Sequence, residues 1–148
     1  MTAPTPSRMN PDVKSAWVTA LRSGNYTQGT GRLRQPNPND PGGVGLRPDV
    51  YCCLGVLCDL AERAGVGQWA DHDDGETPGE YIAGTASETT LPSGVIAWAG
   101  LPDNNPDITV DTTSPEGHPR DFTVDLTFAN DNGGCTFATL ADLIEAQL

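Results

Sequence analysis

Tyr51-Cys52-Cys53-Leu54-Gly55-Val56-Leu57-Cys58-Asp59 is the stretch whose reading decides the fold. It places three of the four cysteines within seven positions, inside the most apolar run of the chain. Extended to Ala64, the pattern predicts a helix over 52–64. Cys53, Leu57, Leu60 and Ala64 make one apolar stripe, and Leu54, Cys58 and Ala61 make a second beside it. Polar residues enter only with Asp59, Glu62 and Arg63, so the first half is expected to be buried all round. Gly65 follows as a C′ residue that lets the chain leave through a left-handed conformation. Gly55 inside the helix costs about 1 kcal/mol relative to alanine. A cost of that size points to another element packed closely at this position. The run reads as the central helix of the core.

The cysteines could be metal ligands, nucleophiles or packing. Structural zinc sites commonly pair cysteines across two to four residues. Cys53 and Cys58 fit by count, but about 100° per residue puts them about 140° apart around a helix. They are expected to be buried thiols behaving as small hydrophobes, with no metal and no cofactor.

At 148 residues the chain has the length of one domain. Its hydrophobic fraction is 36%, with 17 Gly and 13 Pro, which forecasts much loop. No apolar stretch reaches the ~20 residues of a membrane span, so no membrane partner is expected. The first residues hold no apolar signal segment, which suggests a cytoplasm where thiols stay reduced. The net charge of −12 is unevenly spread. Residues 1–50 carry six basic side chains against three acidic ones, and residues 51–148 carry two against seventeen. Nucleic acid is repelled by most of such a surface. An anionic ligand is therefore to be sought near the first fifty residues.

Around the central helix the expected elements form an α+β domain over 10–148, after a flexible tail at 1–9. Asn10-Pro11 opens a helix over 10–22 with Val13, Ala16, Trp17, Ala20 and Leu21 inward. Residues 35–49 and 70–90 are expected as flexible loops. Val50-Tyr51 is expected to pair with Arg32-Leu33. Leu91 to Leu101 holds a short helix with Pro92 first and Gly100 past its end, turning Val95, Ile96, Trp98 and Ala99 inward. Residues 107–111 and 121–125 alternate as a hairpin does. A helical turn follows from Asp125. Thr136 then caps a last helix with Phe137, Leu140, Ala141, Ile144 and Leu148 inward. The core is expected around Trp17, Leu57, Trp98 and Ile144. His72 among Asp71, Asp73, Asp74 and Glu76 reads as solvated loop, since the calcium-loop spacing is absent.

Asn25-Tyr26-Thr27-Gln28-Gly29-Thr30-Gly31-Arg32-Leu33-Arg34 is the candidate site. Its glycines free backbone amides, its arginines add charge, and the N-terminus of the central helix faces it. It is no Walker loop, because no Gly-Lys-Ser/Thr follows. The expected ligand-binding residues are Gln28, Gly29, Thr30, Gly31, Arg32, Arg34 and Tyr51, with Asn130 and Asp131 approaching from the side. Arg32 and Arg34 are expected on one face, with Leu33 in the core.

Three pieces of the chain resemble a family of small proteins of unknown function encoded by tailed bacteriophages, notably of actinobacteria, and by prophages. They are Trp17 through Arg34, the Tyr51–Asp59 run, and Asn130-Asp131 followed by Phe137 through Glu145. The segment between Arg34 and Tyr51 is longer than in that family, and Asn132-Gly133-Gly134-Cys135 replaces its Ser-Gly-Lys-like turn. The resemblance implies a phage context and the host cytoplasm, with no mechanism attached. The expected function is a non-enzymatic binding protein, acting on a host protein or sequestering a small anionic molecule. The alternatives are a small cysteine-dependent hydrolase or transferase and a minor virion component.

Overall fold

The computed structural model describes residues 9–35, 49–70, 80–113, 119–131 and 135–148. Among them it is an α+β fold arranged around the expected central helix, here α2 (Cys53–Arg63). Cys52 is its N-cap, in extended conformation, and Cys53 through Cys58 are all buried. Gly65 has φ +82, and the Val66 and Gly65 N–H groups donate to the Ala61 and Glu62 carbonyls at 2.8 and 3.0 Å. That pair of bonds is the Schellman closure.

Helix α1 (Pro11–Arg22) begins as expected, with Asn10 Oδ1 accepting from the Asp12 N–H at 2.9 Å. Its buried face is Val13, Trp17, Val18 and Leu21, whereas Ala16 is exposed and Ala20 half-buried. The face is turned from the expected one because α1 packs against both α2 and the C-terminal helix. Trp17 is fully buried, and its Nε1 donates to the Cys53 carbonyl at 2.9 Å. Met9, expected in the tail, is 3% exposed and belongs to the core, while 1–8 lie outside the described residues.

The first sheet holds β1 (Thr27–Gln28), β2 (Arg34–Gln35) and β3 (Val50–Tyr51), in the order β1-β3-β2. Tyr51 stands opposite Arg34 in the antiparallel pair and opposite Gln28 in the parallel one. The expected pairing of Val50-Tyr51 with Arg32-Leu33 is therefore wrong by two residues. Leu33 is fully buried, and its N–H goes instead to the Glu88 carbonyl at 2.8 Å.

A second sheet, β4 (Gln68–Ala70), β5 (Glu80–Ala83) and β6 (Thr85–Ser87), corrects the reading of 70–90 as loop. Tyr81 and Ala83 alternate into the core, and the Tyr81 hydroxyl donates to the Val66 carbonyl. The acidic segment at 71–79, with His72, lies outside the described residues, as do 36–48 of the other expected loop.

Helix α3 (Ser93–Ala99) takes Pro92 as N-cap and ends on Gly100 at φ +72. Val95 and Ala99 are buried, but Ile96 and Trp98 are only half-buried, so Trp98 borders the core instead of centring it. The expected hairpin is present and longer, β7 (Asp107–Thr113) against β8 (Pro119–Asp125), with Asp107 opposite Asp125. Helices α4 (Leu126–Asp131) and α5 (Phe137–Gln147) follow. Thr136 caps α5 by accepting from the Thr139 N–H, and Phe137, Leu140, Ala141 and Ile144 are buried, with Leu148 half-buried. Among the described residues no helix is long and apolar enough to cross a membrane.

Candidate functional site

Three separate pieces of the sequence close into one knot at the start of α2. Gln28 Nε2 donates to Asn130 Oδ1 at 3.0 Å and to the Cys135 carbonyl at 2.8 Å. Its Oε1 accepts from the Phe137 N–H at 3.1 Å. Asn130, 5% exposed, accepts from the Cys53 N–H at 3.3 Å and donates to the Gly29 carbonyl and Asp131 Oδ1, both at 2.8 Å. Asp131 Oδ2 accepts from the Gly31 N–H at 3.1 Å, and the Gly29 N–H reaches the Tyr51 carbonyl at 2.7 Å. Gln35 Nε2 donates to the Thr30 carbonyl at 2.6 Å. Below this strap, the Leu33 backbone passes so close to Gly55 that no side chain would fit there.

The expected site residues Gln28, Gly29, Gly31, Tyr51, Asn130 and Asp131 are thus brought together, but to one another. Two amides that were to cradle an anion, those of Gly29 and Gly31, donate within the protein. The first amide of α2, on Cys53, is capped by Asn130. Thr30 stays exposed at the tip of the strap. The arginines diverge in partner. Arg32, its side chain 41% exposed, faces Glu88 at 3.9 Å, whereas Arg34, 16% exposed, has Nε 3.6 Å from Asp49. Arg22 likewise bonds Asp142 and Glu145 on α5, which raise its pKa. Arg22 and Arg32 thus pair with acids of the second part of the chain, whereas Arg34 pairs with Asp49 within the first.

Beside the knot lies a face that the sequence did not single out. Tyr26, Tyr51, Trp69 and Tyr81 form a chain of edge-to-face rings with centroids 5.2, 6.2 and 4.9 Å apart. The Arg34 guanidinium lies 4.5 Å above the Trp69 ring. Asp59 accepts from the Tyr26 hydroxyl and from Trp69 Nε1 at 3.3 Å, and pairs with Arg63 at 3.4 Å. Burial, then the Asp59 hydrogen bond, pushes the Tyr26 hydroxyl well up, and burial raises Tyr51. Both phenols stay protonated at neutral pH. Tyr26, Tyr51 and Trp69 are each half-buried, so the face has a rigid aromatic body and accessible edges. Tyr26 and Asp59 stood within the quoted sequence pieces. Trp69 had no signal, because it stands in no expected element, between the end of the central helix and the 70–90 segment.

All four thiols are buried. Burial pushes Cys52 up to about 11 and raises Cys53, Cys58 and Cys135 as well. Cys53 Sγ sits 3.8 Å from the Leu126 carbonyl, a weak donor bond inside the core. Among the described residues no group of His, Cys, Asp or Glu could hold a metal ion. His118 lies outside the described residues, with residues 114–118.

Fold and site together define a small α+β domain in which the most distinctive sequence pieces build one internal knot beside an aromatic face. The chain belongs to the family described as Domain of unknown function (DUF8296), which matches residues 9–148. No curated protein and no solved structure matches it significantly.

Proposed function

We propose that this is a phage-encoded, non-enzymatic binding protein that acts in the host cytoplasm on a host protein, through the face formed by Tyr26, Tyr51, Trp69 and Arg34. One observation carries this reading: the Arg34 guanidinium stacked on a half-buried Trp69, with Tyr51 and Tyr26 edge-on beside it. Tyr, Trp and Arg are the residues enriched where protein interfaces concentrate their binding energy. They supply large contact area at little entropic cost when already held in place, as these rings are. The buried, protonated thiols speak against the cysteine-dependent hydrolase or transferase, since a thiolate is the nucleophile.

Sequestering a small anionic molecule is the second reading. Thr30 and the half-exposed Arg32 at the tip of the strap favour it, while the internal use of the Gly29 and Gly31 amides weighs against it. Capture from host lysate with wild type and Trp69→Ala tests the first reading. Loss of a captured protein in a folded Trp69→Ala variant is the expected result, and undiminished capture places the face elsewhere. Calorimetric titration with host nucleotides tests the second. Mass spectrometry of purified particles separates both from a minor virion component.

A further inference from the structure

The aromatic face has a chemical preference that can be read from what already occupies it. The Trp69 ring is fixed without help from Arg34. Its Nε1 donates to Asp59 at 3.3 Å, its backbone N–H donates to Glu62 Oε2 at 2.9 Å, and Tyr81 meets it edge-on at 4.9 Å. Tyr51 stands edge-on to it with centroids 6.2 Å apart, and the Asp49 carboxylate lies 3.6 Å from Arg34 Nε. A fixed indole plane, a phenol and a carboxylate make a slot for a flat cation. A guanidinium suits this setting, because it stacks on the ring while its charge lies within ion-pair reach of the carboxylate. An ammonium group is compact and strongly hydrated, and cannot stack.

Resting on the binding face proposed above, we propose that the slot between Trp69, Tyr51 and Asp49 is a guanidinium-binding subsite. In the free protein Arg34 occupies it in cis, and an arginine side chain of the partner takes it in exchange. Arg34 belongs to β2, so its side chain is a tethered competitor. The effective concentration of such a tethered group is on the order of millimolar. A free guanidinium compound at lower concentration does not displace it. A partner arginine succeeds because its other contacts with the face add to the same binding event.

The test uses the full chain with Arg34→Ala, and Arg34→Met as a second variant that keeps the packing of the stem. Methylguanidinium is titrated while tryptophan emission is followed, with methylammonium as the lysine-like control and Trp69→Phe in the same background to assign the signal. A saturable response is expected to methylguanidinium in either folded variant. Wild type, methylammonium and the Trp69→Phe background should give none in the same range. A folded variant that shows no saturable response, or responds equally to methylammonium, overturns the subsite. With a captured host protein, Arg34→Met should tighten binding by emptying the slot. Weaker binding means that Arg34 itself makes the contact, which overturns the exchange and leaves the face standing. Capture that ignores Trp69→Ala removes the face, whatever methylguanidinium does.

Discussion

Gly55 lies directly under the backbone of Leu33: a Cβ built on Gly55 would overlap the Leu33 carbonyl oxygen and come 2.6 Å from its carbonyl carbon. The obstruction is main chain, so it cannot swing away as a side-chain end can. Helix propensity alone predicts that Gly55→Ala stabilises α2 by about 1 kcal/mol. The contact reverses that sign. Gly55→Ala is expected to destabilise by about 3 kcal/mol or more, in the range of overpacked cores. Urea denaturation measures it, and a variant as stable as wild type contradicts the close approach.

The strap above Gly55 depends on Asn130. Asn130→Ala leaves the Cys53 N–H and the Gly29 carbonyl without that partner and takes one acceptor from Gln28. A loss of about 2–4 kcal/mol is expected, several times a single exposed hydrogen bond. Asn130→Asp should also destabilise, because a carboxylate cannot donate to the Gly29 carbonyl. Tolerance of both changes in a thermal melt would falsify the knot as a stabilising unit.

Arg32 and Arg34 are expected to part company on mutation. Arg32→Ala breaks a half-exposed ion pair with Glu88 and should change stability by less than about 0.5 kcal/mol. Arg34→Ala removes a guanidinium from the Trp69 ring and from Asp49 and should cost about 1–2 kcal/mol. Along the sequence the two arginines are equivalent, alternating about Leu33, and only their folded partners separate them.

Alkaline pH should loosen the protein through its thiols. An ordinary thiol titrates near 9.0, and burial pushes folded Cys52 up to about 11. Cys53 and Cys58 move in the same direction for the same reason. The folded chain therefore keeps protons that the unfolded chain releases. Stability is full below the unfolded value and falls as pH rises from about 9, with the Cys52 share gone by about 11. At about 1.4 kcal/mol per unit, Cys52 alone accounts for about 3 kcal/mol. Denaturation under reducing conditions at pH 8 and pH 10.5 checks this, and a flat profile contradicts buried thiols.

The helices and the hairpin were legible because their signals are local. Asn10-Pro11 and Thr136 start helices, Gly65 and Gly100 stop them, and alternation over 107–111 and 121–125 marks two strands. Gly55 was legible in a weaker way, since an unfavourable residue in a buried helix calls for a close neighbour, though not for Leu33 in particular. What the sequence determined by itself is therefore the α+β class, the central helix and the burial of its cysteines.

Tertiary structure decided the rest, because it turns on contacts between residues far apart in the chain. Strands of two to four residues carry too little periodicity to be seen, so β4, β5 and β6 were hidden in acidic sequence. Whether a glycine-rich strap offers its amides to a ligand or to the protein cannot be read from the strap. Here Asn130 and Asp131, about a hundred residues away, take several of those polar groups. Arg34 had the same ambiguity. Its charge was visible in the sequence, but only folding placed it on Trp69, where a guanidinium becomes part of an aromatic face.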